Sequence, residues 1–148
     1  MTFTTLATGL RFPEGPVAMP DGSVILVEIE AGRITRVHPD GTKTTVAEPG
    51  GGPNGLAIGP DGKLYCCNNG GFHYVETPSG LLVPHGQPAD YSGGRIERID
   101  IETGEVEVLY KDGDFHCSLR GPNDIVFDDA GGFWFTDHGK TRERERDV

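Results

Sequence analysis

An all-β fold of repeated, antiparallel four-stranded units is predicted by three observations. Short apolar runs alternate with turns throughout the 148 residues, punctuated by 23 Gly and 11 Pro. No long run of apolar residues recurs at helical spacing, which argues against a helical or α/β protein. One unit occurs three times without a gap: PEGPVAMPDGSVILVEI (13–29), PNGLAIGPDGKLYCCNN (53–69) and PNDIVFDDAGGFWFTDH (122–138).

In this register Pro13, Pro53 and Pro122 coincide, as do the turn glycines Gly22, Gly62 and Gly131. Each unit reads as a hairpin, so the start of its first strand and the end of its second meet at one rim. Oxygen-bearing side chains stand at both places. Glu14, Asn54 and Asn123 precede the first strands; Glu28, Asn68 and Asp137 end the second. Turn chemistry accounts for the PDG turns. It accounts less well for Glu or Asn recurring before each buried strand. The first set is therefore expected to line one site. For the second set, lining and turn-making stand side by side.

The elements follow in order. Residues 3–9, FTTLATG, read as a lone Thr-rich strand, either a ring-closing strand or an N-terminal edge. The first unit holds Val17–Met19, Val24–Glu28, Arg33–His38 and Lys43–Ala47, turning at PDG, near Ala31-Gly32, and at PDG again. Four short strands in about 36 residues, repeated, are the signature of a β-propeller blade. The second unit holds Leu56–Ile58, Lys63–Cys67, Gly94–Ile101 and Glu105–Tyr110. GRITRV (32–37) and GRIERI (94–99) match, so extra residues lie between its second and third strands, within Gly70 to Gly94. That insertion shows no convincing repeat strand. It is expected at the rim that carries Glu14, Asn54 and Asn123, as a wall, a lid or a plain surface loop. The third unit begins at Pro122, with strands Ile125–Phe127 and Phe133–Thr136. Trp134 and Phe135 are expected to pack within it. The tail KTRERERDV (140–148) is a mixed-charge loop in this register.

Residues 1–148 are thus expected to form one incomplete β-propeller of four-stranded antiparallel blades. Blade 1 is about 13–48, blade 2 about 53–111, and the start of blade 3 about 122–148. Two and a half blades leave open sheet edges. The missing half, or a second chain, is expected to close the ring.

A formal charge of −10 and a pI near 4.8 disfavour nucleic acid as a partner. Cys66, Cys67 and Cys117 have no metal-type spacing and read as buried reduced thiols. With no signal peptide or membrane span read in the chain, they predict a cytoplasmic protein that does not engage membranes.

FPEGPV (12–17), GPNGLAIGPDGKLYCCNNGG (52–71) and LRGPNDIVFDDAGGFWFTDHG (119–139) resemble the SMP-30/gluconolactonase/LRE family. The resemblance covers essentially the whole chain, as the N-terminal half of a member. It implies a six-bladed propeller with a divalent metal at the top of its central channel. It also implies metal-dependent hydrolysis of sugar lactones. Glu14 in PEGP and Asn123 in PND match two family metal ligands. The other ligands, including the Asp often assigned as general base, are expected beyond residue 148, so no catalytic residue is placed within the chain. Asn54 matches a later ligand motif but sits on the second blade, so it is carried over as a substrate contact. Asn68, Asp137, Arg120 and His116 are the further substrate-binding candidates. Glu28 and His138 stand beside them as candidates, and Asp124 can instead cap a turn. Arg120 stands one residue away from the family's substrate-gripping Arg position, which Gly121 occupies.

A carboxylate with amide carbonyls is a hard oxygen set. It favours Ca²⁺, ahead of Mg²⁺, Mn²⁺ or Zn²⁺. Two other functions share the fold: organophosphate or ester hydrolysis, and non-catalytic binding of a ligand or partner, or an inactive fragment.

Overall fold

The computed structural model describes residues 2–116, 118–141 and 146–147. Two four-stranded antiparallel sheets and the first hairpin of a third are arranged side by side. The first sheet runs β1 (Pro13–Ala18), β2 (Val24–Glu28), β3 (Arg33–Val37), β4 (Lys43–Ala47) in simple meander order. The second is built from β5 (Pro53–Ile58), β6 (Leu64–Asn68), β9 (Arg95–Ile99) and β10 (Val106–Lys111), again a meander. Between β6 and β9 the insertion forms its own small hairpin, β7 (Tyr74–Glu76) and β8 (Leu82–Pro84). The repeat does not reveal it, because its strands are three residues each and fall outside that pattern. The third unit is β11 (Pro122–Phe127) paired with β12 (Phe133–Asp137). A short ladder joins β13 (Lys140–Thr141) to β14 (Arg146–Asp147).

The PDG turns close as expected. Asp21, Asp40 and Asp61 each accept the backbone N–H two residues on, and Asp128 does the same in the third hairpin. The glycine that follows takes φ near +80° in each turn (Gly22 81°, Gly41 84°, Gly62 77°, Gly131 83°), which costs a residue without Cβ nothing.

The core lies between sheets. Ile25, Val27 and Ile34 of the first sheet pack with Leu56, Leu64, Cys66 and Ile99 of the second. Cys67, Ile96 and Ile125 form a smaller cluster toward the third. Successive strand residues point to opposite faces, so the adjacent cysteines serve different clusters. Burial pushes the Cys66 thiol well up, and that of Cys67 up to about 12. Both are inert packing groups. Cys117 lies outside the described residues.

Two expectations are corrected. Residues 3–9 form no strand in this chain; Lys43 Nζ tethers the segment by donating to the Thr8 carbonyl at 2.7 Å. Trp134 is 70% exposed and Phe135 38%. The β11–β12 hairpin stands as a two-stranded sheet, in which the Trp134 indole N–H donates to Asp128 at 3.2 Å and the Phe135 ring lies 6.4 Å from that of Phe133. No helix among the described residues is long and apolar enough to cross a membrane.

Candidate functional site

β5 packs between β1 and β11, so the first strands of the three units stand side by side. Each carries a register shift at the same place, Glu14 to Val17, Pro53 to Leu56 and Pro122 to Ile125. A bulge of this kind bends a strand and re-aims the side chain beside it. Here it lies beside Glu14, Asn54 and Asn123. All three line one cleft of about 440 Å³, together with Asp124. Phe12, Ile29, Leu56, Phe72 and Pro84 supply its apolar surface. Phe72 and Pro84 belong to the insertion, which therefore walls the cleft.

The residue after each rim position explains how close the strands come. A Cβ on Gly15 would meet the Asn54 carbonyl oxygen at 2.4 Å, and one on Gly55 would meet that of Asn123 at 2.5 Å. The third unit has Asp124 at this position, on the side where no strand among the described residues is packed.

Within the cleft Asn54 Nδ2 donates to Asn123 Oδ1 at 2.9 Å. The amide of Asn123 is thereby fixed, with its second lone pair open. The Glu14 carboxylate has no hydrogen-bond partner among the described residues. Phe12 enters the cleft with φ of 57°, a left-handed conformation costly for a bulky residue. Its ring packs on Tyr74 at 5.3 Å. The sequence reading had not singled it out.

The second set of repeat positions does something else. Glu28 is fully buried; Oε2 accepts the Arg11 N–H, and Oε1 accepts Arg33 Nε and Thr35 Oγ1, each at 2.7 Å. Asn68, also fully buried, accepts the Gly52 and Gly70 N–H groups and donates to the Gly50 carbonyl and Glu97. Those four bonds exhaust its amide. Asp137 accepts the Arg120, Gly121 and Gly139 N–H groups, each at 2.8 Å. Each side chain ties the chain entering its hairpin to the end of the second strand. Asn68 therefore has nothing left to offer a substrate. Glu28, Asn68 and Asp137 are absent from the cleft lining.

The buried acid of this clamp changes strand between sheets. In the first sheet it is Glu28 on β2, opposite Arg33 and near Thr35. In the second it is Glu97 on β9, at the place of Thr35, bonded to Asn68 and Arg95. Burial alone would raise the Glu28 carboxyl. Hydrogen bonds from Arg33, Thr35 and the Arg11 backbone outweigh it and hold the group below its ordinary value. For Glu97 burial wins, and the carboxyl is raised despite Arg95 and Asn68.

Arg120 also faces away from the cleft. Its Nη1 pairs with Asp112 at 2.8 Å, and its carbonyl accepts the Tyr91 hydroxyl. His116 is exposed at the end of a 3-10 helix, Asp114–His116. His138 Nδ1 contacts the Gly139 carbonyl. None of the three lines the cleft. Asp124 does, while its Oδ1 accepts the N–H of Ile125 at 2.9 Å.

The sequence register puts Lys140 in a mixed-charge tail. It is 1% exposed. Its Nζ donates to the carbonyls of Asn69 and Gly71 and stands 3.9 Å over the ring of Phe72, a cleft residue. Burial pulls its pKa down to about 8, against an opposing pull from Asp137. No local pattern marks a lysine as buried when its acceptors are backbone carbonyls about 70 residues away.

The open Glu14 carboxylate and the free lone pair of Asn123 fit a hard cation, as two of the six to eight oxygens Ca²⁺ takes. No group of three His, Cys, Asp or Glu among the described residues offers an alternative shell.

The sequence pattern of the SMP-30/gluconolactonase/LRE-like region matches residues 12–148. The chain belongs to that family. It is 26% identical over 162 residues to a gluconolactonase of Zymomonas mobilis, covering 97% of this chain and 38% of the relative. It is 31% identical over 126 residues to lactonase drp35 of Staphylococcus haemolyticus, covering 84% and 32%. A solved structure described as a candidate gluconolactonase superposes with TM-score 0.63 at 26% identity, over 89% of this chain and 38% of that one. A gluconolactonase of Xanthomonas campestris gives TM-score 0.64 at 21% identity, over 90% and 37%. The fold is thus a β-propeller of four-stranded antiparallel blades, and this chain spans under two-fifths of the length of these relatives.

Proposed function

We propose that this member of the lactonase-like family carries the cation-holding rim of an enzyme that hydrolyses lactones, with sugar lactones as the substrate class. The observation that carries the reading is the convergence of Glu14, Asn54 and Asn123 in one cleft, joined by the Asn54–Asn123 hydrogen bond. Glu14 supplies the negative charge for a divalent ion, Ca²⁺ in first place, and Asn123 supplies a neutral oxygen. When bound, such an ion polarises a carbonyl oxygen and stabilises the charge that develops on it. Asn54 holds the Asn123 amide in the orientation that keeps its oxygen toward the cleft. Phe12, Leu56, Phe72 and Pro84 provide an apolar wall that keeps water from the substrate's hydrocarbon face. Asp124 adds a second carboxylate at the cleft edge, suited to hydrogen-bonding substrate hydroxyls.

The test is calorimetric titration of the chain with Ca²⁺, Mg²⁺ and Zn²⁺, after its mass in solution is fixed by light scattering. Saturable Ca²⁺ binding, weakened at least tenfold in Glu14→Gln and in Asn123→Ala, is the expected result. Ca²⁺ binding unchanged in both variants, or none in the folded chain, would withdraw the cation role from these residues.

A further inference from the structure

We propose that His73 and His85 form a transition-metal site on the outward face of the insertion hairpin, separate from the oxygen-lined cleft. The β7–β8 ladder ends at the Tyr74–Pro84 pair, and just beyond it His73 and His85 meet across the hairpin. The His85 N–H donates to the His73 carbonyl at 2.6 Å, and the His73 N–H to that of Gly86 at 3.1 Å. The rings stand 6.4 Å apart between centroids, tilted by 67°. A metal about 2.0–2.1 Å from one nitrogen of each ring holds the centroids roughly 5–6 Å apart. A small rotation about the side-chain torsions closes that difference.

Nothing competes for the rings. Both residues are exposed, and among the described residues neither imidazole has a hydrogen-bond partner. The other histidines are elsewhere: His38 Nε2 engages Thr44, His116 ends the 3-10 helix, and His138 contacts Gly139. Two neutral imidazoles with water completing the shell suit Cu²⁺, Ni²⁺ and Zn²⁺ and reject Ca²⁺ and Mg²⁺.

The position gives the site a use. Alternation along the strand puts Tyr74 and Pro84 on the face opposite the histidines. Pro84 and Phe72 line the cleft, and the Tyr74 ring packs on those of Phe12 and Phe72 at 5.3 and 6.1 Å. A metal clipped across His73 and His85 cross-links the hairpin whose other face walls the cleft. The ion stiffens that wall without entering it.

The experiment is titration of the untagged chain at pH 7.5 with Cu²⁺, Ni²⁺ and Zn²⁺, read by calorimetry, with amide exchange over residues 72–86 measured alongside. One ion per chain is expected, tightest for Cu²⁺, with exchange slowed in the hairpin. His73→Ala and His85→Ala should each weaken binding at least tenfold, while Glu14→Gln leaves it unchanged. Because both histidines are exposed, circular dichroism of the variants should match the parent. Absence of saturable binding, or binding that survives in the double His→Ala variant, overturns the proposal. It stands or falls independently of Ca²⁺ binding in the cleft.

Discussion

Two places in each hairpin carry the same kinds of residue and do opposite things. Glu14, Asn54 and Asn123 open into the cleft. Glu28, Asn68 and Asp137, at the other end of the same hairpins, are spent on backbone N–H groups. The residue types barely differ. What differs is the neighbourhood. The clamp residues sit where the incoming chain turns and leaves N–H groups without strand partners, and a carboxylate or amide oxygen satisfies them. The rim residues sit beside a bulge, which turns them toward the cleft. Chemistry becomes available only where the backbone has not already consumed it.

The largest effect that could break this contrast is at Asn68. Asn68→Leu strands buried partners at Gly50, Gly52, Gly70 and Glu97. It should cost about 3 kcal/mol or more in urea unfolding. Asn54→Leu breaks a single side-chain bond, to Asn123, and should cost about 1 kcal/mol. Similar losses at both sites would erase the distinction.

Next in size is Gly55→Ala. Its new methyl would meet the Asn123 carbonyl oxygen at 2.5 Å and force β5 from β11. About 2 kcal/mol of destabilisation is expected, and broadened Asn54 and Asn123 side-chain amide resonances should show the rim opening. A silent Gly55→Ala would mean that the first strands are not in close register.

The smallest effect compares the two buried acids. Glu28 is held below its ordinary value, so its contribution is present above the ordinary carboxylate range and lost as pH falls through the folded value. Glu97 is raised, so the cost of its charge is relieved as pH falls through its folded value toward the ordinary range. Glu28→Gln should therefore destabilise by about 1–2 kcal/mol at pH 7 and progressively less in acid. For Glu97→Gln the deficit relative to the parent should grow as pH falls. Unfolding curves at pH 7, 5 and 4 would read both trends, and parallel trends would contradict the opposite settings of the two acids.

Most of the fold was legible because its punctuation is local. The PDG turns, the apolar runs and the repeat each need only neighbouring residues, and they placed the main strands to within a few positions. The rim set was legible because Glu or Asn before a buried strand has no turn to make. The clamp set was not, since the N–H donors these side chains accept from arrive on chain 16 to 17 residues away, as in Arg11 to Glu28 and Gly52 to Asn68. Lys140 was further out of reach, for its acceptors come from another blade. The β7–β8 hairpin escaped for a different reason: Tyr74 is anchored by aromatic packing rather than by a repeat.

The glycines beside the rim also act as a gauge. Gly15 and Gly55 set how tightly one inner strand may nest against the next, because any larger residue would strike its carbonyl. Asp124 breaks that rule at the third step. A neighbour seated against β11 as tightly as β11 is seated against β5 would collide with its side chain. A strand docked on that side of β11 has to stand further off than β1 stands from β5, so the step beside Asn123 is the wide one by virtue of a single side chain.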